Sequence, residues 1–214
     1  QLQWVPAMWR PAWRPGHRPF ARLVSVLTEE SPNPAALVFF PQGCEVLGSG
    51  ARSRVYRGLY ESDSSKLASE LFRVGGVDEV LLGARHVTVT KKDHMDWNDL
   101  SEDVEAVISK FFDSKLKPVE NPNEQAEDVT SEDSETVKEI KRVLEQRVAP
   151  WVQQDGGDVA FARWDEEEGI VWLELQGSCA GCPKSTITLQ ALIRGMLSHH
   201  VPGVQEVRDI AEFD

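Results

Sequence analysis

Cys179-Ala180-Gly181-Cys182 places two thiols two residues apart, with Pro183 directly behind them. Ile170 to Leu175 ahead of them is apolar and rich in β-formers, so it reads as a strand. Gly177-Ser178 breaks that strand, and Pro183 suits the first turn of a helix, where its missing N–H is no loss. Both sulfurs are therefore expected near a helix N-terminus. The partial positive charge there favours thiolates, the form that binds soft metals and attacks disulfides.

Two cysteines make half a metal site. Structural zinc and cubane iron–sulfur clusters usually take four protein ligands, and the chain has no second CxxC. Its remaining cysteine, Cys44, lies far upstream in a block of different composition. The residues alone leave three chemistries open. The pair is a redox dithiol, or two chains each give two thiolates to one shared iron–sulfur centre, or they share a zinc ion in the same way.

The positioning elements fall into two blocks. From about Arg22 an α+β pattern begins, with weak alternation from Arg22 to Leu27 and a turn at Ser31-Pro32-Asn33-Pro34. Ala35 to Phe40 predicts a strand, Ser65 to Phe72 a short helix, and Val77 to Leu82 and His86 to Thr90 a strand pair. A further helix carries Leu100, Val104, Val107, Ile108 and Phe111 at helical spacing, with Asn98 or Asp99 as its expected cap. Pro118 to Ser134 is acidic, free of basic and aromatic residues, and reads as a tether about 20–25 Å in span that lets the two blocks move semi-independently.

The second block predicts a helix from Glu135 to Val148 ended by Pro150, a turn at Asp155-Gly156-Gly157-Asp158, and a strand from Val159 to Trp164. After the strand that leads into the CxxC come a helix from Pro183 to about Ser198 and a closing strand around Val204, Val207 and Ile210. The expected fold class is thus α+β: two small domains on an acidic linker, the second in the order α-β-β-α-β. The division is 1–21 for a basic arm, 22–117 for the first domain, 118–134 for the linker and 135–214 for the second domain.

Composition narrows the functions. A formal charge of −12 and a pI near 4.9 argue against nucleic-acid binding, which needs a basic footprint. No apolar run is long enough to span a membrane as a helix. With 3 cysteines the chain has no disulfide framework, so a reducing compartment is expected. Residues 1–28 hold Arg10, Arg14, Arg18 and Arg22 and no acid, alongside Trp4, Trp9, Trp13 and several prolines. That composition is typical of organelle transit segments, with a retained arm as the alternative, and the true N-terminus is expected upstream of Gln1.

The chain resembles the Nfu family of iron–sulfur cluster scaffold and carrier proteins, whose C-terminal domain is NifU-like. In the second domain the resemblance lies in Val148-Ala149-Pro150, Gln154 to Val159, Leu175 to Cys179, Cys182-Pro183 and Val201 to Val204. In the first domain it lies in Ser31 to Pro34, Leu71-Phe72-Arg73, Gly76-Val77, Thr88 to Lys91 and Asp96-Trp97. Together these cover roughly Arg22 to Ile210 and resemble the eukaryotic organellar form. Ser31 stands where Thr is common in the family, Lys184 where a small polar residue is usual, and Cys44 is outside the family motif.

The resemblance implies that Cys179 and Cys182 are cluster ligands, holding a labile [4Fe–4S] cluster between two protomers, with [2Fe–2S] as the alternative cargo. It implies a homodimer when loaded, transfer to apo-proteins rather than turnover chemistry, and upstream cluster-assembly proteins as partners. For a mitochondrial form the implied clients are lipoyl synthase, aconitase and the iron–sulfur subunit of succinate dehydrogenase; a plastid location is the alternative. A thioredoxin-like thiol–disulfide protein is the rival reading.

Other residues have plainer expectations. Gly156-Gly157 reads as a turn needing positive φ, with close backbone approach to a cluster as the second option. His199-His200 reads as a polar helix end, and Glu166 to Glu168 as a solvated turn. Trp151, Trp164 and Trp172 are expected in a core or interface. No Walker A, G-x-S-x-G or H-E-x-x-H pattern occurs, so an enzyme is not expected. The first domain carries no chemical constellation and is expected to bind clients or assembly proteins.

Overall fold

The computed structural model describes residues 23–48, 51–119, 133–180 and 183–213. The basic arm, residues 120–132 of the acidic linker and Cys182 lie outside them.

The first domain is a five-stranded antiparallel sheet in the order β1-β2-β5-β4-β3. The strands are β1 (Val26–Glu30), β2 (Ala36–Pro41), β3 (Arg54–Tyr56), β4 (Val77–Leu82) and β5 (Val87–Lys91). Helices α1 (Lys66–Arg73) and α2 (Trp97–Asp113) pack on one face of the sheet. Phe39, Val80, Leu82, Val87 and Val89 meet Leu67, Leu71, Leu100, Val104 and Ile108 in the core between them. Ser65 caps α1 by accepting the Ala68 N–H at 3.1 Å, and its own hydroxyl donates to the Pro118 carbonyl at 2.9 Å. The cap of α2 is Asp96, not Asn98 or Asp99, because its carboxylate receives the Asn98 N–H at 2.8 Å. The first strand also starts later than its weak alternation indicated, and the short edge strand β3 had no signal long enough to read.

The second domain has α3 (Glu135–Val143), α4 (Ala149–Val152), β6 (Gly157–Asp165), β7 (Ile170–Gly177), α5 (Pro183–His200) and β8 (Glu206–Asp209). β7 is the middle strand, antiparallel to β6 and parallel to β8. Pro150 does not end the first helix. A widened turn over Leu144–Val148 joins α3 to α4 and places Pro150 in the first turn of the new segment, where a missing N–H is tolerated. Ile140, Val148, Leu173, Ile193 and Leu197 are buried to within 1% in the core. Ile187 and Leu192, though on the same helix as Ile193, stay 74% and 41% exposed. Trp172 lies on the outer face between the guanidinium groups of Arg163 and Arg208, 5.4 and 5.5 Å from its ring.

Both ends of the linker are held, by Ser65 pairing with Val119 and by Ser134 capping α3. The two domains, expected to move semi-independently, are in contact through β4, β5 and β7.

Ile193→Ala should lower the stability of the second domain by about 2–5 kcal/mol, the cost of lost burial plus a cavity. Urea unfolding followed by second-domain probes reads this, with the first domain's transition unmoved. His86 gives a pH test. It is 5% exposed with no hydrogen-bond partner for Nε2 among the described residues, and burial lowers its pKa from 6.5 to about 4. Unfolding restores the ordinary pKa, so the unfolded chain binds the extra proton between those values. First-domain stability should be unaffected by this group above about pH 6.5 and fall toward pH 4, by up to about 3 kcal/mol. The pH dependence of the urea midpoint should be flatter in His86→Leu; an identical slope refutes the assignment.

Candidate functional site

β7 ends at Gly177, whose φ of +61° starts a tight turn through Ser178, Cys179 and Ala180. Within the turn the Cys179 N–H donates to the Gln176 carbonyl at 3.3 Å and the Ala180 N–H to the Gly177 carbonyl at 3.1 Å. The loop is strapped to the Asp155-to-Gly157 turn. There the Ser178 hydroxyl donates to the Asp155 carbonyl at 2.6 Å and the Ser178 N–H to the Gly156 carbonyl at 3.4 Å. Cys179 is 8% exposed and closes one end of the second-domain core.

The two glycines of the Asp155-to-Asp158 turn have separate duties. Gly156 takes the left-handed conformation at φ +78°, as the expected turn requires. Gly157 makes room: a Cβ there would stand 2.2 Å from the Cys179 sulfur. Asp158 follows with a buried carboxylate that accepts the Val159 N–H at 2.8 Å and the Gln153 amide at 3.3 Å. Burial raises its pKa, and a hydrogen bond from the Ser53 side chain pulls the other way.

Ser53 belongs to the first domain, and it is one of several first-domain groups at this site. Val38, Thr88 and Leu81 are register partners on β2, β5 and β4, forming one row across the face of the sheet that α1 and α2 leave bare. The Thr88 hydroxyl donates to the Gly156 carbonyl at 2.6 Å. A Cβ on Gly156 would meet Val38 Cγ2 at 2.4 Å, and one on Gly177 would meet Leu81 Cδ1 at 2.8 Å. Asn33 Nδ2 donates to the Ala180 carbonyl, between the two cysteines of the motif, at 2.7 Å. Glu79 Oε1 accepts the Gly177 N–H at 3.0 Å. Its other oxygen accepts from Arg57 Nε at 2.9 Å, and Arg57 reaches on to Glu174 of β7 at 2.6 Å. Burial nevertheless outweighs Arg57 and leaves the Glu79 carboxyl with a raised pKa.

Of the two cysteines expected as ligands, Cys179 is at the strand-to-helix junction, and Cys182 lies outside the described residues. The Gly-Gly turn comes against the Cys179 sulfur. Cys44 packs against the first-domain core, and His199 and His200 form the last turn of α5. Among the described residues no group of three or more His, Cys, Asp or Glu could hold a metal. Sequence reasoning missed Asn33, Glu79 and Thr88. One signal was present: Val80-Leu81-Leu82 is an unbroken apolar run, the mark of a strand covered on both faces.

Comparison with known proteins bears on both domains. Residues 26–115 match the family model "Scaffold protein Nfu/NifU N terminal", and residues 140–208 match "NifU-like domain". The NFU1 iron-sulfur cluster scaffold homolog, mitochondrial, of Drosophila ananassae is 39% identical over 89% of this chain and 65% of its own length. NifU-like protein 5, mitochondrial, of Arabidopsis thaliana is 40% identical over 90% of this chain and 70% of its own. The chain thus spans about two thirds of the length of these curated relatives. A NifU-like protein of Saccharomyces cerevisiae solved by NMR aligns at TM-score 0.44 and 24% identity, over 53% of this chain and 99% of that one. The curated relatives carry the assignment, and that structural likeness plays no part in it. With 40% identity to one such relative across most of both chains, and both domains matched in order, this protein belongs to the Nfu family of iron–sulfur cluster scaffold proteins.

Proposed function

We propose that the protein binds a labile [4Fe–4S] cluster between two protomers, each supplying Cys179 and Cys182, and passes it intact to apo-proteins. The cluster is cargo, and the protein performs no turnover chemistry of its own. The observation that carries this reading is the position of Cys179, on a backbone-strapped turn where only glycine at 157 leaves space for its sulfur. Such a turn fixes the position of a soft ligand, and one chain offers at most two thiolates here, so four-thiolate coordination needs a second copy. Ile187, one turn into α5, leaves an apolar side chain 74% exposed near the loop, a residue that a protomer contact would cover.

The location proposed is the mitochondrion, the one in the names of both relatives. The clients proposed are those the family resemblance implies: lipoyl synthase, aconitase and the iron–sulfur subunit of succinate dehydrogenase. No helix among the described residues is long and apolar enough to cross a membrane.

Anaerobic reconstitution with iron and sulfide tests the reading. The expected product carries about four irons and four sulfides per dimer, and its light-scattering mass is twice that of the metal-free chain. Cys179→Ser and Cys182→Ser should each abolish cluster retention; a serine variant with a full iron load overturns the ligand assignment. A colourless monomer that forms a reversible Cys179–Cys182 disulfide would instead establish thiol–disulfide chemistry.

A further inference from the structure

We propose that the outer face of the first-domain sheet is a docking surface for the cysteine loop of its own chain, and that undocking is the step that opens the loop to a second protomer. The second half rests on the scaffold reading above; the first half does not.

The surface is shaped for backbone rather than for side chains. The row Val38, Thr88 and Leu81 receives Gly156 and Gly177, two positions with no Cβ to stand in the way. Leu81 is fully buried, and Val38 and Thr88 are within 2% of it, yet none of the three belongs to the first-domain core. Their burial comes from the face opposite the helices. An α+β sheet covered by helices on one side normally shows polar residues on the other. Here that side pairs apolar Val38 and Leu81 with the Thr88 hydroxyl between them, and Asn33 and Glu79 add further hydrogen-bonding groups.

These polar groups all address main-chain atoms of the cysteine loop or of the glycine turn strapped to it. Asn33 donates to the Ala180 carbonyl, Thr88 donates to the Gly156 carbonyl, and Glu79 accepts the Gly177 N–H. Asn33 is set for this by its own turn: its Oδ1 accepts the Ala35 N–H at 2.9 Å, and its backbone N–H donates to the Ser31 hydroxyl at 3.2 Å. The side-chain amide is therefore aimed before the loop arrives.

Docking and bridging compete for one place. Ala180 lies between the two cysteines, and the Asn33 amide sits 2.7 Å from its carbonyl. A cluster shared by two loops brings the partner's loop against this same stretch of backbone. The closed chain has a first-domain side chain there instead. The metal-free monomer is the docked state, and the cluster-bridged dimer is the undocked one.

The test uses the full reduced, metal-free chain and iodoacetamide as the probe, with tandem mass spectrometry reporting the alkylation of Cys179 and Cys44 separately. Hydrogen exchange at the Gly177 amide is read on the same protein. Removing two cross-domain hydrogen bonds in Asn33→Ala/Thr88→Val should raise Cys179 alkylation and Gly177 exchange about five- to thirty-fold, with Cys44 unchanged. Arg57→Gln, at a half-exposed site, should raise both by a smaller factor. Unchanged Cys179 and Gly177 rates in both variants would overturn docking. Cluster uptake on reconstitution should be faster in the same variants, and equal uptake rates would overturn the competition. If neither wild type nor variants take up a cluster, the scaffold reading fails while the alkylation and exchange rates still decide the docking.

Discussion

The cysteine loop lies where it does because three backbone positions around it carry no side chain. Gly157 yields its Cβ position to the Cys179 sulfur, Gly156 yields its own to Val38 and Thr88, and Gly177 yields its own to Leu81. Interiors pack to crystal density, so a single added methyl at any of these points forces the neighbours apart. The three glycines act in two directions. One gap faces inward, toward the thiol and the second-domain core, and two face outward, toward the first-domain sheet. The turn is thereby held from both sides, and the strap from Ser178 to Asp155 keeps it flat between them.

The polar groups at this seam do not hold it tightly. Glu79 is nine-tenths buried at the side chain and touches both Arg57 and the Gly177 amide, yet desolvation remains the largest influence on its carboxyl. Breaking even with water is the usual fate of a buried ion pair. The Arg57 bridge to Glu174 is half exposed and screened by solvent, so it contributes little more than orientation. What remains is apolar contact, the neutral hydrogen bonds from Asn33 and Thr88, the Ser53 hydrogen bond to Asp158 and a solvent-exposed Arg52–Glu145 pair at 3.3 Å, a modest hold of the kind the proposed undocking requires.

Much of this architecture was legible in the chain. The periodicities marked most of the helices and strands, because long amphipathic segments such as Leu100 to Phe111 announce themselves. The cysteine pair, the glycine turn and the strand-to-helix junction were readable because turn chemistry is local. The seam was not. Asn33 read as a turn residue and Thr88 and Glu79 only as strand residues, since their partners lie 147, 68 and 98 residues away. Pro150 misled for a related reason. Its missing N–H forbids a regular helix interior, but a widened turn just before it supplies a fresh start, and nothing in the local residues distinguishes a stop from a restart.

An incomplete site is what cargo handling requires. A loop that fully surrounded a cluster would trap it, whereas on the proposed reading two thiolates from each of two chains would leave every ligand replaceable by an incoming cysteine. The same incompleteness leaves the metal-free loop in need of cover, and the first-domain sheet supplies it from within the chain. On the proposed reading these two arrangements are linked through one equilibrium. Whatever factor separates cluster affinity in the undocked and docked chains also sets, by reciprocity, how far cluster binding drives the domains apart. A partner that grips the freed first-domain face would then raise the chain's hold on the cluster, and one that restores docking would release it.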